Sequence, residues 1–191
     1  MTILNPDVPP ALSIQMRLFD ASARVVTGGE FRATLTASAE GPGALIVTAP
    51  IRGMFDSSGR LASVYGGGLD LAASDLLVPA STAYEFRIAA PGVLDVRFVA
   101  PIKSGQTATD VNLTVAADLV TLSLNNFLAS PAMLGAAVTG TAFQAGTVVS
   151  AIDTVANTVT LSLPALAAGA VAQATFTNAV DFRTLALGYL P

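Results

Sequence analysis

The chain is 191 residues long, room for one large or two small domains, with a net charge of −4. Only 12% of its residues are charged, about half the usual share, and it has no His, Cys or Trp. These absences exclude a Ser-His-Asp triad, a Cys nucleophile and imidazole or thiolate metal sites, and one Lys with eight scattered Arg does not make a phosphate-binding surface.

Residues 1–10, Met-Thr-Ile-Leu-Asn-Pro-Asp-Val-Pro-Pro, have no basic leader region, so they do not read as a signal peptide. Three prolines favour an extended N-terminal arm. From residue 11 the dominant period is two. Leu12, Ile14, Met16 and Leu18 share one face, as do Phe31, Ala33, Leu35 and Ala37. Tyr84, Phe86 and Ile88 alternate with Glu85 and Arg87, and Leu94, Val96 and Phe98 alternate with Asp95 and Arg97. Val111, Leu113 and Val115 extend the pattern. Opposite charges on the outward positions suit a solvated antiparallel sheet. Turn signals separate the runs, at Thr27–Gly29, Glu40–Gly43, Asp56–Gly59, Gly66–Gly68, Ala90–Gly92 and Lys103–Gly105. Many short strands between turns predict an Ig-like or fibronectin-like β-sandwich over 11–116. Leu69–Leu77 is too short, and its apolar face too weak, for a helix, so a loop or single turn is expected there.

The composition breaks near Asp118. Residues 119–180 contain one charge, Asp153, where average usage would place about 15. Val120–Leu124 (VTLSL) recurs as Val159–Leu163. The copies are either neighbouring strands of one small sheet or strands of common composition. Residues 117–179 are predicted to form a second, small β-domain, making the chain all-β. Residues 180–191 are expected to be a C-terminal strand or docking tail.

No 18-residue window is continuously apolar, although mean hydropathy is +0.64. The apolar surplus points to surface buried in an assembly. Contacts are expected at Ile3, Leu4 and Val8 of the arm and at Phe182, Leu185, Leu187, Tyr189 and Leu190 of the tail.

Candidate chemistry is sparse. Asp56-Ser57-Ser58-Gly59 starts like a calcium loop but lacks the later carboxylates, so a turn with a left-handed Gly accounts for it. Asp70, Asp75 and Glu85 are the nearest cluster in sequence to the paired acids that glycoside hydrolysis needs, and surface solvation is the better account of them. Gly66-Gly67-Gly68 has no following Lys-Ser/Thr, so it reads as a turn or bulge rather than a phosphate loop. Asn112-Leu113-Thr114 matches a glycosylation sequon by spacing alone. No enzyme activity, catalytic residue, cofactor or metal is expected.

Residues 138–162, VTGTAFQAGTVVSAIDTVANTVTLS, resemble a short β-module of tailed-phage virion proteins of the form VTGTGIPAGTTVTAVD…NTVTLS, departing from it at Ala142-Phe143-Gln144. Phe55–Leu61, Leu69–Asp75 and Tyr84–Ile88 are more weakly similar to β-sandwich modules of phage head and tail appendages. The resemblance covers about a third of the chain. It implies a non-enzymatic virion protein at the phage particle surface, as a capsid decoration, cement or head-fibre subunit. A tail or baseplate protein is the alternative, and a carbohydrate-binding module a more distant one. From the uncharged surface and the two termini, the expected partners are other copies of the chain, as a trimer, and major capsid or tail proteins; neither nucleic acid nor membrane is expected.

Overall fold

The computed structural model describes residues 11–20, 22–41, 44–46, 48–79, 81–92 and 95–189. The arm positions Ile3, Leu4 and Val8, the strand position Leu94 and the tail position Leu190 lie outside them. In chain order the strands are β1 (Ala11–Gln15), β2 (Glu30–Leu35), β3 (Ala39–Gly41), β4 (Ala44–Ile46), β5 (Ile51–Phe55), β6 (Leu61–Ser63), β7 (Leu69–Ala72), β8 (Tyr84–Ala89) and β9 (Val96–Ala100). They continue as β10 (Thr107–Val115), β11 (Thr121–Ser123), β12 (Val138–Thr139), β13 (Val149–Asp153), β14 (Thr158–Leu161), β15 (Gly169–Thr177) and β16 (Ala179–Asp181), followed by one helix, α1 (Phe182–Tyr189). Strands hold 47% of the described residues and helix 8%, so the protein is all-β.

The first unit has a five-stranded antiparallel sheet in the order β6-β5-β2-β8-β9 and a three-stranded sheet in the order β16-β1-β7. Their inward faces meet in one core, a sandwich-like arrangement. Phe31, Ala33 and Leu35, then Tyr84, Phe86 and Ile88, point into it as their alternation predicts. Ala37 is exposed, because β2 ends at Leu35. Leu69–Leu77 splits into strand β7 and a single 3-10 turn at Ser74–Leu76, so the expected turn covers only its second half. A separate hairpin pairs β3 with β4.

The second unit is one sheet in the order β12-β15-β10-β11-β14-β13, with its own core. The two VTLSL copies are neighbours. β11 pairs antiparallel with β14, Thr121 opposite Thr160 and Leu122 opposite Val159.

Two boundaries differ from the sequence expectation. The strand at 107–115 belongs to the second unit, where β10 pairs with β15 from Thr107↔Thr177 to Val115↔Gly169. The change of unit precedes the change of composition, so Asp118 does not mark it. Residues 179–189, in turn, belong to the first unit. β16 lies parallel to β1, and Val180, Phe182 and Leu185 enter the first core. The second unit is therefore an insertion within the first, and its entry and exit strands are hydrogen-bonded neighbours. Close ends let an insertion fold in place at small entropic cost.

The C-terminal segment is also a helix where a strand or docking tail was expected. Phe182, Leu185, Ala186 and Tyr189 follow an i, i+3, i+4, i+7 period, which competes with the alternation of Leu185, Leu187 and Tyr189. Asp181 caps the helix, its Oδ1 accepting the Arg183 N–H at 3.0 Å. Phe182 sits 5.1 Å from the rings of both Phe31 and Phe86 and 5.4 Å from that of Phe98.

Candidate functional site

Among the described residues, four of the seven buried polar ones, Ser13, Gln15, Asp110 and Ser130, gather at the seam where the two units meet. Segment Leu124–Ser130 follows β11 as an irregular collar, and Phe127, Leu128, Ala129 and Ser130 are buried. A buried segment outside regular structure must find partners for its backbone groups. Three side chains from three different elements supply them.

Asp110, fully buried in β10, accepts the N–H groups of Asn125, Asn126 and Phe127 at 2.9, 2.8 and 3.4 Å. Gln15 of β1 clamps Leu128, accepting its N–H and donating Nε2–H to its carbonyl, both at 3.1 Å. Asn157, in the β13–β14 turn, accepts the Ala129 N–H at 2.8 Å and donates to the carbonyls of Leu124 and Phe127 at 3.1 and 3.0 Å. Its φ of 55° is a left-handed conformation that Asn tolerates better than most residues. The Ala129 carbonyl accepts the Gly68 N–H at 3.0 Å.

The other side of the seam is the polar face of β1. The Ser13 hydroxyl meets Gln15 Nε2 and the Ser130 hydroxyl, each at 2.7 Å. The alternation of Leu12 and Ile14 with Ser13 and Gln15 is real, but both faces are buried, one in the first core and one against the collar. Arg17 donates to the Ser58 carbonyl at 2.9 Å and to Asn126 Oδ1 at 3.2 Å.

The motifs singled out in the sequence fall around this seam. Gly59 has a φ of 72°, and Asp56 Oδ1 accepts the N–H groups of Ser58 and Arg60, which makes Asp56–Gly59 the expected turn. Arg60 pairs with Asp56 at 2.9 Å. The Gly66–Gly68 run is a turn and also a close approach. A Cβ on Gly68 would stand 2.7 Å from the Leu128 carbonyl oxygen, and one on Gly67 3.0 Å from that of Ala129. The composition of this run carried a turn signal only; the contact with a segment 60 residues away left no local trace.

The acidic cluster is dispersed. Asp70 lies at the seam, where burial pushes its carboxyl above the usual range against the pull of Ser130, Ala132 and Ser13. Asp75 accepts the Ser104 N–H and hydroxyl at 2.8 and 2.6 Å, which hold its carboxyl low. Glu85 is on the outer face of β8. Tyr84, which donates to the Ala72 carbonyl at 3.0 Å, is pushed up to about 12 by burial. Among the described residues no three Asp or Glu converge as a metal-binding group.

Two open clefts flank the seam. One of about 250 Å3 is lined by Gln15, Arg17, Phe19, Thr109, Asn126 and Arg183 among others, and one of about 300 Å3 runs beside α1 past Thr107, Asp181, Leu185 and Tyr189. Of the expected contact residues, Phe182 and Leu185 are internal, with Phe182 closing the aromatic core. Leu187 and Tyr189 project outward at 81% and 46% exposure. Two further exposed apolar side chains are Tyr65 and Val155, each 96% exposed and each on a turn. Comparison with protein-family models, with curated proteins and with solved structures finds no match to this chain.

Proposed function

We propose that this chain is a non-enzymatic structural subunit of a tailed-phage particle, a capsid decoration, cement or head-fibre protein that works by docking on other virion proteins and on its own copies. The observation that carries the reading is the placement of large apolar side chains in water. Tyr65, Val155 and Leu187 are at least four-fifths exposed, each on a different element. They are the contact points that this reading assigns. The resemblance of residues 138–162 to a virion β-module supports the particle assignment. The buried polar residues support the non-enzymatic one, because Asp110, Gln15 and Asn157 spend their hydrogen-bonding capacity on the collar backbone.

Electron microscopy of particles from the source material, with an antibody label on this chain, tests the reading. Label on the head is expected, and label on the tail selects the tail or baseplate alternative. An unlabelled particle population, together with a purified chain that sediments as a monomer at high concentration, overturns it.

A further inference from the structure

The outer face of the five-stranded sheet carries a row of four arginines in register. Arg52 on β5 stands opposite Arg32 on β2, Arg32 opposite Arg87 on β8, and Arg87 opposite Arg97 on β9. Half of the arginines in the chain thus lie on one line across four strands. Like charges directly opposite one another destabilise a sheet. Three carboxylates share the face. Glu30 pairs with Arg32 at 2.8 Å, Asp95 bridges Arg87 and Arg97 at 2.9 and 3.2 Å, and Glu85 makes no ion pair among the described residues. The face is net cationic in a chain whose acidic residues outnumber its basic ones.

The internal pairs leave donors free. Arg32 and Arg87 meet their carboxylates through Nε and Nη2, so the Nη1 end of each guanidinium is open. Arg52 makes no ion pair among the described residues. The forks repeat at the strand spacing of about 4.8 Å over a length of about 14 Å. A row of evenly spaced forks suits a linear molecule that carries carboxylates along its length, and a chain of 1→4-linked uronic acid sugars advances by roughly one strand spacing per sugar. The face presents no aromatic side chain, and stacking on aromatic rings is what single-stranded nucleic acid uses.

We propose that this arginine row binds a linear, carboxylate-bearing polysaccharide laid across strands β5, β2, β8 and β9. The proposal rests on the sheet alone and stands apart from the assembly reading. Glycan recognition that lacks aromatic platforms is here ionic, so it weakens with salt.

The test is binding of polygalacturonate to the full chain, with neutral dextran, poly-L-glutamate and single-stranded DNA as the other arms. Polygalacturonate is expected to bind at low ionic strength and to be released at about 0.5 M NaCl. Arg32→Gln and Arg87→Gln are each expected to weaken it at least about tenfold. Arg24→Gln, away from the sheet, is expected to leave it unchanged, and dextran not to bind. Arg52→Gln removes one fork without breaking an internal pair, so it reads the effect even if the other variants lose their fold by circular dichroism. Absence of polygalacturonate binding, equal binding by the Arg52→Gln chain, or equal affinity for poly-L-glutamate or DNA overturns the proposal.

Discussion

Single residues do the work of secondary structure at the seam. Asp110, Gln15 and Asn157 each replace backbone partners that the collar lacks, and burial is tolerable because almost every polar atom is matched. Asp70 is the exception. Its Oδ2 accepts the Ala132 N–H at 3.2 Å, while Oδ1 is buried without a partner. Burial raises the carboxyl above its ordinary 3.8, so the charged form is disfavoured in the folded state. Below the ordinary carboxylate range both folded and unfolded chains are protonated there, and the residue costs nothing. As pH rises through the ordinary value the unfolded chain ionises first, and the folded state loses stability until the raised value is passed. Asp70→Asn is therefore expected to stabilise the protein by about 1 kcal/mol at neutral pH and to leave it unchanged in acid. Thermal melts of the two chains at both conditions check this; an unchanged or lower neutral Tm contradicts it.

At the scale of elements, one strand and one helix show how local pattern and tertiary context compete. β10 alternates, but its phase changes. Ala108 and Asp110 point inward before Asn112, Leu113 and Val115 after it, and Val111 is left exposed. Asn112 has a φ of 58°, which turns the strand over so that Asp110 reaches the collar. Helix α1 is the larger departure. Its inner side plugs the aromatic core and its outer side is free, so two neighbouring leucines should behave oppositely. Leu185→Asp places a carboxylate in the first core and is expected to cost more than about 3 kcal/mol. Leu187→Asp is expected to change stability by less than about 0.5 kcal/mol and to act only on association. Urea unfolding and sedimentation of the two variants separate these effects. Equal destabilisation by both would contradict the helix orientation.

At the scale of the molecule, the inserted unit and its host share a polar seam rather than a linker. The chain crosses between them twice, at 101–106 and at Asn178, and Gly67 and Gly68 let the β6–β7 turn touch the collar backbone. The protein is expected to unfold in one calorimetric transition, because opening the seam alone would break the Gln15–Leu128, Ser13–Ser130 and Gly68–Ala129 hydrogen bonds together. Gly68→Val forces a side chain against the Leu128 carbonyl and should separate the melting of the two units or lower it by several degrees. Two resolved transitions in the unaltered chain would overturn the coupling.

The all-β class, the inward residues of β2 and β8 and the Asp56–Gly59 turn were legible in the sequence, because period-two alternation and turn residues are local properties of the chain. Leu12 and Ile14 announced their burial in the same way. What folding alone decided is non-local. Ser13 and Gln15 look like a solvated strand face until the collar, more than 100 residues on, covers them. The unit boundary fell ahead of Thr107 because β10 found its partner in β15, and composition does not encode pairing. The C-terminal segment became a helix because Phe182 has its place among Phe31, Phe86 and Phe98, and a 3.6 period delivers Leu185 to the same core. The four arginines were each visible as outward strand residues or lone charges, yet their alignment depends on the register of four strands. Register is set by how the inward faces pack, which no single segment of the sequence records.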